Sequence, residues 1–325
     1  QILPHPPDGG VKIRTYHVLR LLAREFEVDA LCFHRRSARE DSAAIEESVE
    51  ALREHAALVE AFEIPQERSR TRLLWDHLRS VLRRRPYTYF SYESSSFLSR
   101  LRELLKSESY DLVHVDSLDL SRYLSELPDR PVVCGHHNVE SELLRRRGDS
   151  ASFPPLRWYF RLQADLLERE EDRWCPRVAL NVTVSDRDRQ TLEERVPGAE
   201  VLVAPNGVDT ETFRPAGGEE GTESGLVFVG GCTWFPNRDA LEYFSAEILP
   251  LLRRQRPDLT VRWVGRADRE TRARYRAEHG IEMTGYVDDI RPHVRAAACY
   301  VVPLRVGGGT RLKILDAWAM GMAVV

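Results

Sequence analysis

Short apolar segments alternate with amphipathic helical segments along most of the chain. The first half contains four predicted strands, at residues 28–33, 112–115, 132–134 and 182–185. Residues 11–26 carry apolar side chains near helical spacing, which predicts an amphipathic helix. Ser185 stands where the N-cap of a helix over 186–194 is expected. Strands that alternate with helices favour parallel sheets covered by helices.

The second half repeats this alternation after a polar, acidic and glycine-rich segment. That segment, residues 217–225, predicts a linker. The predicted elements after it are strand 226–229, helix 239–253, strand 260–264, helix 269–278, strand 281–284, helix 288–297 and strand 299–302. We therefore expect an α/β protein with a first domain over 1–213, a linker over 214–225 and a second βαβ domain over 226–325.

Three glycines follow the last predicted strand and lead into a helix that begins with two cations. The segment contains Gly307, Gly308, Gly309, Thr310, Arg311 and Lys313. Backbone N–H groups in such a loop approach an anion closely, and the helix N-terminus adds partial positive charge. Arg311 and Lys313 oppose the helix dipole, which indicates a bound diphosphate. Asp316, one turn on, can accept hydrogen bonds from sugar hydroxyls. The alternative is a glycine-rich loop that only turns the chain.

Four motifs along the chain resemble those of the family 4 glycosyltransferases, and they occur in the family's order. They are Pro6-Pro7-Asp8-Gly9-Gly10 with Arg14, His136-His137-Asn138-Val139-Glu140, Val203-Ala204-Pro205-Asn206-Gly207-Val208-Asp209, and Gly230-Gly231 with Trp234-Phe235-Pro236-Asn237. The resemblance is strongest to bacterial sugar transferases of exopolysaccharide or lipid-linked glycan assembly. It implies the GT-B fold, in which two Rossmann-like domains face each other across a cleft.

The resemblance also implies roles for individual residues. His137 matches the family's histidine near the transferred sugar, and Asp316 matches the acid that holds the donor ribose. Gly9, Gly10 and Arg14 match the N-terminal glycine loop. A structural role for His137 stays open, and Glu140 either orients His137 or caps the next helix.

The chain departs from the family pattern at two places. Gly231 and Asn237 stand near the positions of an Arg and a Lys that usually hold the donor diphosphate. Arg238, Arg311 and Lys313 remain as candidate phosphate-binding cations, with backbone groups of Gly308, Gly309 and Thr310. Gly308 also replaces the first of two acids spaced eight residues apart, so the contacts to the donor sugar must come from elsewhere.

Composition and charge exclude several other classes of protein. The 325 residues carry a net charge of -4, so no global basic field indicates nucleic acid as a partner. The five cysteines are widely spaced and form no CxxC pair, which is typical of reduced thiols rather than a metal site. No GxGxxG follows a strand, so a nicotinamide or flavin cofactor has no support. We expect neither cofactor nor metal, and a nucleotide-diphosphate sugar as donor substrate.

Residues 68–85 hold seven arginines and one acid, Asp76, beside an apolar side. A basic amphipathic helix of this kind can lie on an anionic membrane surface. The alternative is a helix that packs on the core and leaves its cationic face in water. We expect a cytoplasmic location. If the helix binds a membrane, the protein also contacts the inner face of the cell membrane.

We therefore interpret the chain as a retaining, metal-independent glycosyltransferase that uses a glycan or lipid-linked acceptor. The acceptor is expected on the first domain and the nucleotide sugar on the second. Two alternatives stay open: a nucleotide-sugar epimerase of the same architecture, and a non-catalytic relative that binds a nucleotide sugar. The chain reads as cut at both ends, and we expect the second domain to be incomplete at the C-terminus.

Overall fold

The computed structural model describes residues 1–35, 42–127, 130–215, 225–306 and 310–325. Contacts between residues divide the chain into two compact units, Gln1–Pro205 and Asn206–Val325. Each unit contains a parallel sheet with helices between successive strands. The expected α/β class with two Rossmann-like domains is confirmed.

The first unit has six strands in two parallel sheets. They are β1 (Asp29–His34), β2 (Leu58–Glu63), β3 (Val113–Val115), β4 (Val132–His136), β5 (Leu180–Thr183) and β6 (Val201–Val203). β1 pairs with β2, and the second sheet has the order β3-β4-β5-β6. Ile2 adds a further parallel bridge to Phe33 in β1. In register, Val133 of β4 lies opposite His114 of β3 and Leu180 of β5.

Nine helices of the first unit connect these strands in its described part. They are α1 (Gly10–Leu22), α2 (Ser42–Arg53), α3 (Arg70–Arg83), α4 (Tyr87–Ser91), α5 (Ser95–Ser107), α6 (Ser121–Leu124), α7 (Glu140–Asp149), α8 (Pro154–Trp174) and α9 (Asp186–Arg195). The expected cap of α9 is confirmed, since Ser185 Oγ accepts a hydrogen bond from the N–H of Asp188. α1 ends at Leu22, earlier than expected, because the next residues form tighter turns in which Arg24 N–H donates to the carbonyl of Leu21.

Aromatic and aliphatic side chains from both sheets form the core of the first unit. Phe33 of β1 stacks on Phe97 of α5 with ring centroids 4.6 Å apart. Cys134 of β4 and Leu192 of α9 extend the same buried cluster. This packing fixes the strand ends of β3 and β4, where the polar residues of the motif begin. In the described parts of the chain, no helix combines the length and hydropathy needed to cross a membrane.

The second unit is a four-stranded parallel sheet of order β10-β7-β8-β9. Its strands are β7 (Gly225–Val229), β8 (Thr260–Val264), β9 (Ile281–Gly285) and β10 (Cys299–Tyr300), and Tyr300 forms a further parallel bridge with Val324. Its helices are α10 (Phe235–Tyr243), α11 (Leu249–Gln255), α12 (Arg269–His279), α13 (Arg291–Arg295) and α14 (Leu312–Ala319). A single π-helical turn, Phe244–Ile248, joins α10 to α11.

Residues just before and at the start of the expected linker pack with the second unit. Arg291 Nη1 donates to the carbonyl of Thr212, and Arg295 Nη2 donates to the carbonyl of Arg214, both at 3.2 Å. Most of the expected linker, residues 216–224, lies outside the described residues. The expected domain limits at 213 and 226 therefore remain predictions.

Glycines at the ends of β7 and β8 let the two backbones meet closely. Gly265 has φ +143°, and a Cβ there would lie 2.6 Å from the carbonyl carbon of Gly230. The indole of Trp263 is stacked on Phe228 and donates to the Gly230 carbonyl at 3.1 Å. Only glycine fits both the backbone angle and the space at position 265.

We predict that Gly265→Ala lowers the free energy of unfolding of the second unit by about 3 kcal/mol, through backbone strain and steric overlap. Urea denaturation followed by near-ultraviolet circular dichroism measures this change. Gly207→Ala is the matched control, because a Cβ there meets no atom within 4 Å. Equal unfolding midpoints for the two variants would contradict the requirement for glycine.

Candidate active site

His137 and Asp116 follow neighbouring parallel strands and meet at their carboxyl edge. Asp116 comes directly after β3 and His137 directly after β4. The Nε2 atom of His137 lies 3.3 Å from Oδ2 of Asp116, and both side chains are largely buried. Ligands of parallel α/β sheets bind at this edge. The structure thus places the expected histidine beside a carboxylate that can orient its ring.

The glycine loop at the start of α1 reaches the same carboxylate. Gly9 is the N-cap of α1, Gly10 is its first residue, and the Oγ1 atom of Thr15 lies 3.0 and 2.9 Å from the two carboxylate oxygens of Asp116. Burial lowers the pKa of Arg14, an effect that the negative charge of Asp116 partly opposes. The expected loop residues therefore lie on the helix that is anchored to Asp116.

His136, the neighbour of His137, is a buried structural residue. Its Nε2 atom lies 3.0 Å from Oδ1 of Asn181, whose Nδ2 donates to the carbonyls of Cys175 and Glu200. Because these two bonds make Oδ1 the acceptor, Nε2 of His136 carries the proton. Burial lowers the pKa of His136 to about 4, so the ring is neutral.

Sequence reasoning missed Asp116, Thr15 and Gly135. A Cβ at Gly135 would lie 3.0 Å from the backbone carbonyl oxygen of Asp116, so a small residue keeps the end of β4 close to the backbone of Asp116. The available signal was an acidic residue directly after an apolar strand. Its significance depends on the strand order, because β3 and β4 had to be neighbours.

Buried carboxyl groups surround a small pocket next to His137. The pocket is lined by Ser117, Leu118, Asp119, Gly135, His136, His137, Asn138, Glu140, Leu167 and Glu171. Burial, followed by the charge of the nearby Asp119, raises the pKa of Glu140 to about 8, against the opposing effect of a 3.3 Å hydrogen bond from Asn138 Nδ2. Glu140 is therefore mainly protonated at neutral pH and can donate a hydrogen bond into the pocket.

In the second unit, a partly buried lysine lies behind the Gly230-Gly231 turn. The Nζ atom of Lys313, in α14, donates to Asn237 Oδ1 at 2.9 Å and lies 4.0 Å from the centroid of the Phe228 ring. Asn237 Nδ2 in turn donates to the carbonyl of Gly231 at 3.0 Å. Burial, followed by repulsion from Arg311, lowers the pKa of Lys313 to about 7. The cation thus sits at the carboxyl end of β7, held by the residue that replaces the family's lysine.

Gly230 and Arg238 shape the same turn. A Cβ at Gly230 would lie 2.6 Å from Asn237 Nδ2, so glycine is needed for this packing. Arg238 Nε donates to the carbonyl of Cys232 at 3.2 Å. The expected cation at 238 therefore supports the turn through at least one of its nitrogens.

The remaining expected donor residues lie around the start of α14. Arg311 is the N-cap residue of α14 and directly follows Thr310. Burial raises the pKa of Asp316 to about 6. Gly308 and Gly309 lie outside the described residues, so the structure describes neither their backbone nor their N–H groups. Among the residues it does describe, no group of three His, Cys, Asp or Glu side chains is placed to hold a metal ion.

Two sequence families match the chain. The profile of Glycosyltransferase Family 4 matches residues 8–212, and that of Glycosyl transferases group 1 matches residues 223–325. No curated protein shows a significant match to the sequence.

Solved structures with a similar fold are glycosyltransferases of low sequence identity. Sucrose-phosphate synthase from Thermosynechococcus elongatus superimposes with a TM-score of 0.67 at 16% identity, over 100% of this chain and 79% of its own. Anabaena HepE in complex with UDP and glucose superimposes with a TM-score of 0.59 at 15% identity, over 97% of this chain and 76% of its own. The apo form of the lipopolysaccharide outer core galactosyltransferase WaaB superimposes with a TM-score of 0.53 at 13% identity, over 98% of this chain and 76% of its own. These similarities establish the shared GT-B fold.

We predict that Glu140→Gln raises the free energy of unfolding at pH 9 and leaves it almost unchanged at pH 4. An acid whose pKa is raised on folding from 4.5 to about 8 contributes stability below pH 4.5 and loses it progressively as the pH rises to 8. Chemical denaturation at several pH values measures the difference from the wild type.

Glu47→Gln, on the exposed side of α2, is the matched control for the loss of a carboxylate. A Glu140→Gln effect that is constant from pH 4 to pH 9 would show that burial does not raise the pKa of this carboxyl group.

Proposed function

Because the chain belongs to glycosyltransferase family 4, we propose that it transfers a sugar with retention from a nucleotide-diphosphate donor to a glycan or lipid-linked acceptor. The family assignment rests on a match that spans more than half of the chain, and it makes the protein an enzyme of the glycosyltransferase class. The proposal also includes a cytoplasmic location at the inner face of the cell membrane and a role in polysaccharide biosynthesis.

The partly buried Lys313 is the observation that carries the donor assignment. An ammonium group at the carboxyl end of β7, held by Asn237 and Phe228, is unfavourable in an apolar setting unless an anion joins it. Its lowered pKa, about 7, gives the free enzyme a mixture of charged and neutral lysine. A diphosphate would raise this pKa and fix the charged form. The UDP present in the HepE structure supports a nucleotide diphosphate as the ligand.

Arg311 and Lys313 together supply the charge for the leaving group. In the proposed reaction, the acceptor oxygen bonds to the anomeric carbon, and the bond from that carbon to phosphate breaks with its electron pair on the phosphate. A phosphate oxygen then takes the acceptor proton. Fixed cations that face the developing charge stabilise the transition state without a metal. Arg238 and the backbone of residues 308–310 complete the proposed diphosphate contacts, and Asp316 accepts bonds from the ribose.

His137 is the proposed catalytic residue of the first unit. Its ring would stabilise charge near the transferred sugar, while Asp116 acts as a positioning residue through the 3.3 Å contact with Nε2. Thr15 in turn fixes the Asp116 carboxylate from α1. The chemistry requires this fixed orientation, because a rotated imidazole would lose its contact with substrate.

The overall test is nucleotide release from a panel of nucleotide-diphosphate sugars, measured by mass spectrometry with and without a glycan acceptor. We expect release that depends on the acceptor and a glycosylated product that keeps the anomeric configuration of the donor. A chelator should leave the rate almost unchanged, since cations occupy the role that Mg²⁺ fills in other transferases. Activity that requires added Mg²⁺ or Mn²⁺ would refute metal independence. Epimerisation of the donor without transfer, or no turnover at all, would refute the proposed transfer of sugar to the acceptor.

Replacing Lys313 by Met or Arg311 by Ala should each lower turnover by roughly 10²-fold, as expected for the loss of a fixed charge that faces the leaving group. Steady-state kinetics with the best donor measures this loss. Arg269→Gln, which removes an exposed cation of α12, is the control and should retain wild-type rates. Rates within threefold of wild type for both site variants would exclude this diphosphate site.

His137→Ala should depress kcat and leave nucleotide affinity almost intact, because the contact is made in the transition state. Asp116→Asn should lower kcat less and should add little in the double variant, since it acts through His137. Kinetics and nucleotide titration on the three variants test this coupling. Loss of thermal stability together with donor affinity in His137→Ala would instead indicate a structural histidine.

A further inference from the structure

Helix α3 turns polar residues inward and apolar residues outward. Asp76 and Ser80 are completely buried, whereas Leu74, Trp75, Leu78 and Leu82 are 69%, 53%, 49% and 68% exposed. A helix on the surface of a globular domain normally has the opposite arrangement. The sequence-based alternative, in which this helix packs its apolar side on the core and leaves its cationic face in water, is therefore wrong.

The inward face of α3 is held by specific polar contacts. Asp76 Oδ2 accepts a hydrogen bond from Arg72 Nε at 3.0 Å. Ser80 Oγ donates to the carbonyl of Arg85 at 2.6 Å and accepts from Gln163 Nε2 of α8 at 2.8 Å. Because Ser80 is bonded to Gln163 of α8, rotating α3 to bury its leucines would break this bond and leave buried polar atoms without partners. The outward orientation of the apolar side is therefore fixed by the fold.

The outward apolar residues form one continuous stripe. At about 100° per residue, Leu74, Trp75, Leu78, Val81 and Leu82 fall within a sector roughly 120° wide, which we call the outer face of α3. The beginning of α8 contributes three more exposed apolar residues, Phe153, Leu156 and Trp158. The two helices are joined there, since the rings of His77 and Tyr159 lie 5.6 Å apart between centroids.

The charges around the outer face are positive. Exposed arginines stand at both ends of α3, at Arg68, Arg70, Arg83 and Arg84, and the one acid between residues 68 and 84 is the buried Asp76. Residues 151–161 contain Arg157 and Arg161 and no acid, although Arg161 is ion-paired with Asp149 at 2.7 Å and Arg68 with Glu63 at 3.1 Å. A partner must therefore offer both an apolar phase and negative charge. A second copy of this chain fits poorly, because a symmetric contact would place arginines opposite arginines.

We propose that the outer face of α3 docks on an anionic lipid bilayer. Its leucines and Trp75 enter the boundary between headgroups and acyl chains, and the flanking arginines contact lipid phosphates while their stems cover apolar surface. The docking is independent of the sugar that is transferred. It places the first unit where a lipid-linked acceptor would be presented.

Flotation with lipid vesicles tests this docking on the full 325-residue chain. Wild-type protein should float with vesicles that contain 40 mol% phosphatidylglycerol in phosphatidylcholine, at least about tenfold more than with phosphatidylcholine alone. The triple variant Leu74→Ser, Leu78→Ser and Leu82→Ser should lose this binding about tenfold or more. Leu251→Ser, which changes an exposed leucine of α11, is the matched control and should bind like the wild type.

A second variant separates the two components of binding. Arg70→Gln with Arg83→Gln and Arg84→Gln should reduce the preference for anionic vesicles and weaken its dependence on salt. Thermal melting of both triple variants checks that they fold. The proposal would be overturned if the wild-type protein bound neither vesicle type, or if the triple leucine variant floated as well as the wild type. So would a wild-type dimer in sedimentation that the leucine variant abolishes, because the face would then bind a second copy.

Discussion

Parallel strand pairing is the constraint on which the candidate site depends. Each of the ten strands in the described parts of the chain pairs in parallel with its neighbours, so all strands of one sheet end at the same edge. At that edge, backbone groups no longer have ladder partners, and side chains of the following residues must satisfy them or bind a ligand. The first unit fills this edge with His137 and Asp116. The second unit fills it with the Gly230-Gly231 turn and Lys313.

Buried polar groups at these edges differ in what holds them. His136 is bonded to Asn181 inside the protein, and its neutral ring braces the sheet through this contact. His137, one residue later, faces a carboxylate and a pocket instead. Lys313 has one amide acceptor and an aromatic ring, which solvate an ammonium group only in part. The incomplete solvation of Lys313 is what makes an anionic ligand favourable there.

The need of buried polar groups for partners also explains why α3 is unusual. Asp76 and Ser80 of α3 are buried inside the first unit. The opposite side of the helix, which carries its leucines, is therefore exposed to water. A cationic rim around these leucines keeps such a face from pairing with copies of itself. Catalysis and membrane attachment would therefore use different helices of the first unit, α1 and α7 for the former and α3 with α8 for the latter.

Sequence periodicity determined the α/β class, because apolar strands and amphipathic helices need only local information. Most strand positions followed from it, as did the cap at Ser185. Motif resemblance brought His137, Arg14 and the glycine loop before α1 into consideration, and the glycine run that leads into a cationic helix start indicated Lys313. Only the tertiary structure paired Asp116 with His137 and Lys313 with Asn237, since residues 21 and 76 positions apart meet through strand order and helix packing. It also decided which side of α3 faces water. The helical pattern alone showed an apolar side and a polar one, whereas the bond between the buried Ser80 and Gln163 of α8 exists only in the folded chain.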